Sequence, residues 1–242
     1  MGQPKMSRRE RLRAETAAEI KAIALKHMAA GGAAALSLRA IARDMGMTAG
    51  AIYSYYETRD ALINALITDV YTSLADTLEA AHEQVDEHDT AQRILAHGTA
   101  YRQWAISHPE EFQLVYGDPV PGYQMPEGGP ATEAELRVCT LLGQLVAAAW
   151  PHAAAAQAGE EHSWEDFQPD LTDALHTKEP DLPPAALALT LRIWGRMHGL
   201  VALEVYGHLR TQIVNPAKLY QQELLDLTSS LGLPVPAASA GR

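Results

Sequence analysis

The chain has 242 residues, 47% of them apolar and 20% charged, with a formal net charge of −11 and one cysteine. This length and apolar content allow one large domain, or a small domain joined to a larger one, and exclude a disordered-type composition. A single cysteine, Cys139, excludes an internal disulfide framework and a cysteine-based zinc site.

The predicted elements are helical throughout, because no sustained apolar-polar alternation signals a strand. An opening helix is expected over about 7–28, with Ala17, Ile20, Ile23 and Ala24 as its apolar stripe and Gly31-Gly32 as its stop. Two short helices follow, at about 37–45 and 48–55. A long amphipathic helix starts at Thr58 and carries Leu62, Leu66, Val70, Leu74 and Leu78 at four-residue steps, up to the acidic stretch 83–89. The next covers about 90–107 and closes at His108-Pro109, where proline cannot continue the ladder. Residues 110–116 form a short helix, and four prolines and four glycines make 117–130 a loop. A helix over 132–150 is expected to end at Pro151, and residues 152–183 are interrupted by Pro169, Pro180 and Pro183. Pro184 opens a long helix to about Arg210, Asn215-Pro216 opens the last one, ending at Gly232, and the tail 233–242 is expected to be disordered.

Two local signals stand out between Leu36 and Tyr56. Ser37 is a strong N-cap, and Leu36 before it can staple to Ile41 inside the helix. Thr48 repeats the device, with Met47 stapling to Ile52. Between them Gly46 sits where a tight interhelical turn needs a left-handed residue. Leu38, Ile41, Ala42 and Met45 share one buried face. The arrangement is a helix-turn-helix by geometry. Gly50, inside the second short helix, costs about 1 kcal/mol relative to alanine, which is understandable if that helix presses on a DNA backbone.

Charge is distributed to match. Residues 1–60 hold ten Lys or Arg against six Asp or Glu, and residues 61–242 hold nine against twenty-four. A basic head on an acidic body is what a chain with one phosphate-facing end shows. Four arginines, Arg8, Arg9, Arg11 and Arg13, are expected to form a flexible arm that follows a groove or the backbone. No secretory leader, no myristoylation pattern and no apolar run of ~18 residues is read from the sequence, so a cytoplasmic location is expected.

Residues 16–66 closely resemble the DNA-binding domain of TetR-type repressors. The elements that carry this are Leu-Ser-Leu-Arg-Ala-Ile-Ala (36–42), Gly-Met-Thr-Ala-Gly-Ala-Ile-Tyr (46–53) and Tyr-Glu-Thr-Arg-Asp-Ala-Leu (56–62), in order and spacing. The resemblance implies that Ser37, Arg39, Thr48, Ala49, Gly50, Tyr53, Tyr55 and Arg59 face operator DNA. Arg59 stands where the family usually has lysine, and Tyr55 where it often has histidine. Arg39 is the best candidate for a guanine contact, because Ala49 and Gly50 offer bases only apolar contact.

Further on, Trp194-Gly-Arg-Met-His198-Gly199 and Ser-His-Pro-Glu-Glu-Phe-Gln-Leu-Val-Tyr (107–116) resemble a TetR-type C-terminal subclass named for its Trp, His and Gly. That implies a helical ligand-binding and dimerisation domain. Independently, Leu187, Leu191, Trp194, His198, Val201 and Val205 step by four and three, the spacing of a helix-helix seam. This seam and the Leu219, Leu224, Leu227, Leu231 stripe suit a four-helix bundle between two subunits, or equally a helix turned to its own core. Trp104, Phe112, Tyr116, Tyr123, Trp150, Trp194 and His198 are the candidate ligand-pocket residues, and Trp164 is a further aromatic; each also suits ordinary packing, and an apolar or aromatic effector is expected.

The expectation is therefore an all-α protein: a basic arm (1–15), a three-helix DNA-binding unit (16–60), a larger ligand-binding and dimerisation domain (61–232), and the tail. It is a homodimeric, ligand-released repressor of a palindromic operator, with no cofactor and no membrane partner. No specific metal site is expected, since only His82/Glu83 and Glu160/Glu161/His162 cluster, on acidic stretches read as exposed. The alternative is a helical adaptor that keeps the three-helix unit only as structure. An enzyme is disfavoured: there is no Gly-rich phosphate loop, Gly-x-Ser-x-Gly elbow or His-Glu-x-x-His motif.

Overall fold

A computed structural model describes residues 7–32, 35–159 and 161–234. Among them are ten α-helices and no strand: α1 Arg8–Gly31, α2 Leu38–Asp44, α3 Ala49–Tyr53, α4 Arg59–Glu83, α5 Thr90–Ser107, α6 Pro109–Tyr116, α7 Pro130–Ala153, α8 Pro169–Lys178, α9 Pro184–Val205 and α10 Pro216–Ser230. Capping chemistry sets most of these starts. The Thr58 hydroxyl accepts from the Ala61 N–H at 3.0 Å, Asp89 caps α5 through the Gln92 N–H at 3.0 Å, and Asn215 caps α10 through the Lys218 N–H at 3.1 Å.

The chain forms two compact units. One takes the chain through Val70 together with Glu110–Thr132, and the other takes Tyr71–Pro109 and the chain from Glu133 onward. The first holds Ile20, Ala24, Leu38, Ile41, Ile52 and Leu62 as fully or nearly fully buried core residues. In the second, α5 packs on α9 and α10, and α9 on α10. Leu224 lies so close to Gly98 that a Cβ there would stand 2.4 Å from its Cδ2, so α5 and α10 meet at a glycine. α4 is one unbroken helix that contributes to both units.

Several boundaries differ from expectation. The arginine arm is helical from Arg8. Ser7 caps α1 reciprocally with Glu10, Ser7 N–H to Glu10 Oε2 at 2.7 Å and Glu10 N–H to Ser7 Oγ at 3.2 Å, so Arg8, Arg9, Arg11 and Arg13 are displayed on a helix. Residues 1–6 of that expected arm, and 235–242 of the expected tail, lie outside the described residues; Leu233 is buried. Pro151 does not end α7 but sits within its last turn, where it gives up one i→i−4 bond and only two helical residues follow it. Pro169, read as a breaker, takes the first position of α8, the one place where its missing N–H costs nothing. α9 stops at Val205 rather than near Arg210, turned by Gly207 at a φ of 78°. Residues 130–157, rich in alanine and leucine, are also helical, long and apolar enough to cross a membrane by length and composition, with a mean hydropathy of 1.3. The same helix carries Arg137, which pairs with Asp76 and Glu79 of α4.

Candidate DNA interface and body cavity

The helix-turn-helix is built as its caps require. The Ser37 hydroxyl accepts from the Ala40 N–H at 3.4 Å and opens α2; the Thr48 hydroxyl accepts from the Ala51 N–H at 3.2 Å and opens α3. Gly46 between them has a φ of 65°, and the turn is closed by Met47 N–H to Ala42 O at 2.8 Å. Leu36, Leu38, Ile41, Ala42 and Ile52 are buried beneath, and Met45 is half-buried.

The outer face carries the expected residues. Ser37, Arg39, Thr48, Ala49, Gly50 and Tyr53 are exposed, whereas Tyr55 and Arg59 are half-buried. Gly50 is informative. Its backbone is not in the left-handed region, and a Cβ built on it meets nothing within 4 Å. Neither backbone nor packing among the described residues requires glycine there. Tyr55 is held under Arg13, whose guanidinium lies 4.7 Å from the ring centroid and donates to the Ser54 carbonyl at 2.7 Å. Arg59 is also engaged: its Nε donates to the Leu36 carbonyl at 3.3 Å and its Nη1 to the Pro121 carbonyl at 3.5 Å. It braces the start of α2 and the 117–130 loop against α4 while part of its guanidinium stays accessible. Tyr56 is half-buried, and that burial raises its hydroxyl pKa.

The aromatic residues proposed as a pocket do not form one group. Phe112, Tyr116 and Tyr123 belong to the first unit; Phe112 is fully buried, its ring centroid 5.1 Å from that of Tyr116, and Tyr123 donates to Asn64 at 3.2 Å. Trp104, Trp150, Trp194 and His198 belong to the second. Trp104 is core, donating from Nε1 to the Ser73 hydroxyl at 3.3 Å, and Trp150 is half-buried. Trp194 is 41% exposed, its ring tilted beside that of His198 with centroids 5.2 Å apart, and His198 is hydrogen-bonded to the Tyr101 hydroxyl at 2.7 Å. The expected seam on α9 is divided too. Of its residues Leu187 and Val201 are buried within the unit, His198 and Val205 are half-buried, and Leu191 and Trp194 are exposed; Leu203 and Tyr206, outside the seam, are exposed as well. A Cβ at Gly195 or Gly199 would meet nothing within 4 Å. On α10, Leu224, Leu227 and Leu231 are buried, and Leu219 is exposed.

Comparisons with known proteins match this layout. Residues 20–66 match the family of bacterial regulatory proteins of the tetR type, and residues 94–227 match the tetracyclin repressor-like C-terminal domain. The HTH-type transcriptional regulator Rv1816 of Mycobacterium tuberculosis is 31% identical over 208 residues, covering 84% of this chain and 86% of its own. The HTH-type transcriptional regulator Mb1846 of Mycobacterium bovis matches to the same extent, 31% over 208 residues. The chain belongs to the TetR family. This TetR-family regulator is also similar to the crystal structure of SCO4313, described there as a regulatory protein, with a TM-score of 0.73, 34% identity, and coverage of 93% of this chain and 98% of that one. A tetR-family regulatory protein from Rhodococcus RHA1 shares the fold, with a TM-score of 0.56 at 19% identity and coverage of 91% and 98%. It is thus a DNA-binding transcription regulator, from a class that is not enzymatic.

The second unit of the regulator contains a cavity of about 330 Å³ that none of the seven pocket candidates lines. Its polar groups are His82 from α4, Arg93 from α5, Gln144 from α7 and Glu179 just after α8. His82, read from sequence as exposed with Glu83, is instead only 7% exposed, and its Nε2 meets His97 Nδ1 at 3.0 Å. The available signal was periodicity: His82 follows Leu78 by four, and His97 follows Ile94 by three, so both fall on apolar faces. Burial, and secondarily the charge of Arg93, lowers the His82 pKa to about 4, while burial and then His82 lower that of His97 to about 3. Both rings are neutral at pH 7. No group of three or more His, Cys, Asp or Glu that could hold a metal occurs among the described residues. Burial pushes the Cys139 thiol up to about 11, which keeps it protonated and unreactive.

The histidine pair predicts an acid-labile fold. Below the ordinary histidine pKa of 6.5 the unfolded chain binds protons that the folded pair refuses until about pH 4, so stability is fully present above 6.5 and declines as pH falls through that window. Thermal unfolding between pH 7.5 and 4.5 reads this slope, and a His82→Leu/His97→Leu double variant should flatten it.

Proposed function

We propose that the regulator is a homodimeric repressor of a palindromic operator, released by a small-molecule effector, and that it acts in the cytoplasm, where bacterial DNA lies. The observation that carries the DNA-facing part is the exposed Gly50, flanked by the capped start of α3 and by Tyr53. Around it, Ser37, Arg39, Thr48, Ala49, Tyr53, Tyr55 and Arg59 face the operator. Phosphate contacts fall to Tyr53 and the α3 N-terminus, a guanine contact to Arg39, and further phosphate charge to Arg8, Arg9 and Arg11 of α1.

For the dimer, the exposed α9 residues Leu191 and Leu203, in one four-residue row with Gly195 and Gly199, offer an apolar stripe with room for close helix approach, and Tyr206 is exposed just past the helix end. A two-fold axis through that stripe pairs two recognition helices, and α4, about 37 Å long for its 25 residues, couples the effector-binding body to them. An effector that shifts α4 changes their spacing and releases DNA.

Selection of bound genomic fragments, followed by mobility shift with the recovered palindrome, tests the reading. Salt-steep binding to both half-sites is expected. No binding at low salt would leave the adaptor reading in its place. A Tyr53→Phe variant should bind every operator sequence about three- to tenfold less well, as loss of one hydrogen bond predicts; a loss confined to one base pair would contradict the phosphate role.

A further inference from the structure

The cavity in the second unit carries two opposite charges that the protein itself does not join. The Arg93 Nε is buried with no hydrogen-bond partner, and no carboxylate lies within ion-pairing distance of that guanidinium among the described residues. Arg93 as a whole is half-buried, but a buried N–H donor left without a partner is costly, and proteins rarely leave one without a reason. Glu179 lines the same cavity, half-buried, and its carboxylate has no ion pair among the described residues either. To the same cavity α7 supplies an apolar wall, with Leu141 and Leu145, and the amide of Gln144.

A lone anion would satisfy Arg93 but sit in the field of Glu179; a lone cation would meet the reverse. A molecule with an anionic group at one end and a cationic group at the other complements both. We infer that this cavity binds a small zwitterion, its carboxylate on Arg93 and its ammonium on Glu179, and that this molecule is the effector. The assignment as effector rests on the repressor reading above; the assignment of the binding site does not. The volume of about 330 Å³ is near the lower end of ordinary ligand cavities, about 300–1,000 Å³, which sets the size at an amino acid to a dipeptide. The neutral His82–His97 pair fits this arrangement. It leaves Arg93 as the cationic group of the cavity and fixes ring nitrogens as hydrogen-bonding groups beside it.

Calorimetry on the full chain, with a panel of the L-amino acids and alanine-containing dipeptides, tests the site. Each probe is compared with its C-terminal amide and its N-acetyl form. At least one zwitterion should bind saturably, and both capped forms should bind at least tenfold more weakly. Arg93→Gln should remove that binding, and Arg93→Lys should restore part of it. Glu179→Gln, at a half-buried position beyond a helix end, should erase the preference for a free ammonium. Thermal unfolding of each variant identifies any that fails to fold, and the remaining ones then decide. If no zwitterion of the panel binds, or if binding ignores both substitutions, the site assignment is overturned. The bound zwitterion is then added to the protein–operator complex. Release that Arg93→Gln abolishes supports the effector role, whereas binding without release overturns that role and leaves the site standing.

Discussion

Replacing Gly50 with alanine should make the protein more stable and a poorer DNA binder. Gly50 is the second residue of α3, and alanine is favoured over glycine by at most about 1 kcal/mol, the value for a helix interior. The added methyl group meets no protein atom within 4 Å, so nothing in the fold opposes that gain. Opposition arises only when a phosphate backbone approaches α3, where a methyl at position 50 holds off the closest approach and lengthens the contacts beside it. Loss of one or two hydrogen bonds to a charged group, about 1.5–3 kcal/mol each, is at least a tenfold loss in affinity. Thermal unfolding and fluorescence anisotropy on the selected operator, at one fixed salt concentration, read the two signs separately. Unchanged affinity would mean that the backbone does not come close to Gly50.

Leu203→Arg should break the dimer without unfolding the subunit. The residue is 41% exposed on the α9 stripe, so the subunit core does not depend on it, whereas near a two-fold axis two copies would bring like charges together. Sedimentation should report a monomer with the wild-type helical content. Operator affinity should fall by about 10²–10⁴, since a half-site bound singly loses the effective concentration that its partner supplies. Val201→Arg is the contrasting control. That side chain is fully buried in the same helix, so the substitution should unfold the second unit rather than only separate subunits. Wild-type oligomerisation of Leu203→Arg would place the interface on another face.

What the residues disclosed before folding, and what they did not, follows the range of the interactions involved. Ser37, Gly46 and Thr48 act within four residues of themselves, so the helix-turn-helix was legible down to its caps. Proline was less decisive. Pro169 and Pro184 open helices, where a missing N–H costs no bond, whereas Pro151 gives up one bond within the last turn of α7 and the helix still continues to Ala153. The α9 seam shows a deeper limit. Spacing by four and three identifies an apolar helix, but only packing decides that Leu187 and Val201 are buried while Leu191 and Trp194 are exposed. The cavity was not legible at all. His82 and Arg93 lie eleven residues apart across a helix break, Glu179 lies 86 residues beyond Arg93, and no local pattern ties the three together.

The capping box at Ser7 and Glu10 has a consequence for the energetics of operator encounter. A disordered basic arm would lose conformational freedom on reaching the groove, about 1–2 kcal/mol for each residue ordered. Here the first turn of α1 is already locked, and Arg13 is already spent on Ser54 and Tyr55. Association then carries little coupled folding from this segment. Its heat-capacity change should therefore track the surface covered on docking, without the extra decrease that accompanies the ordering of a tail.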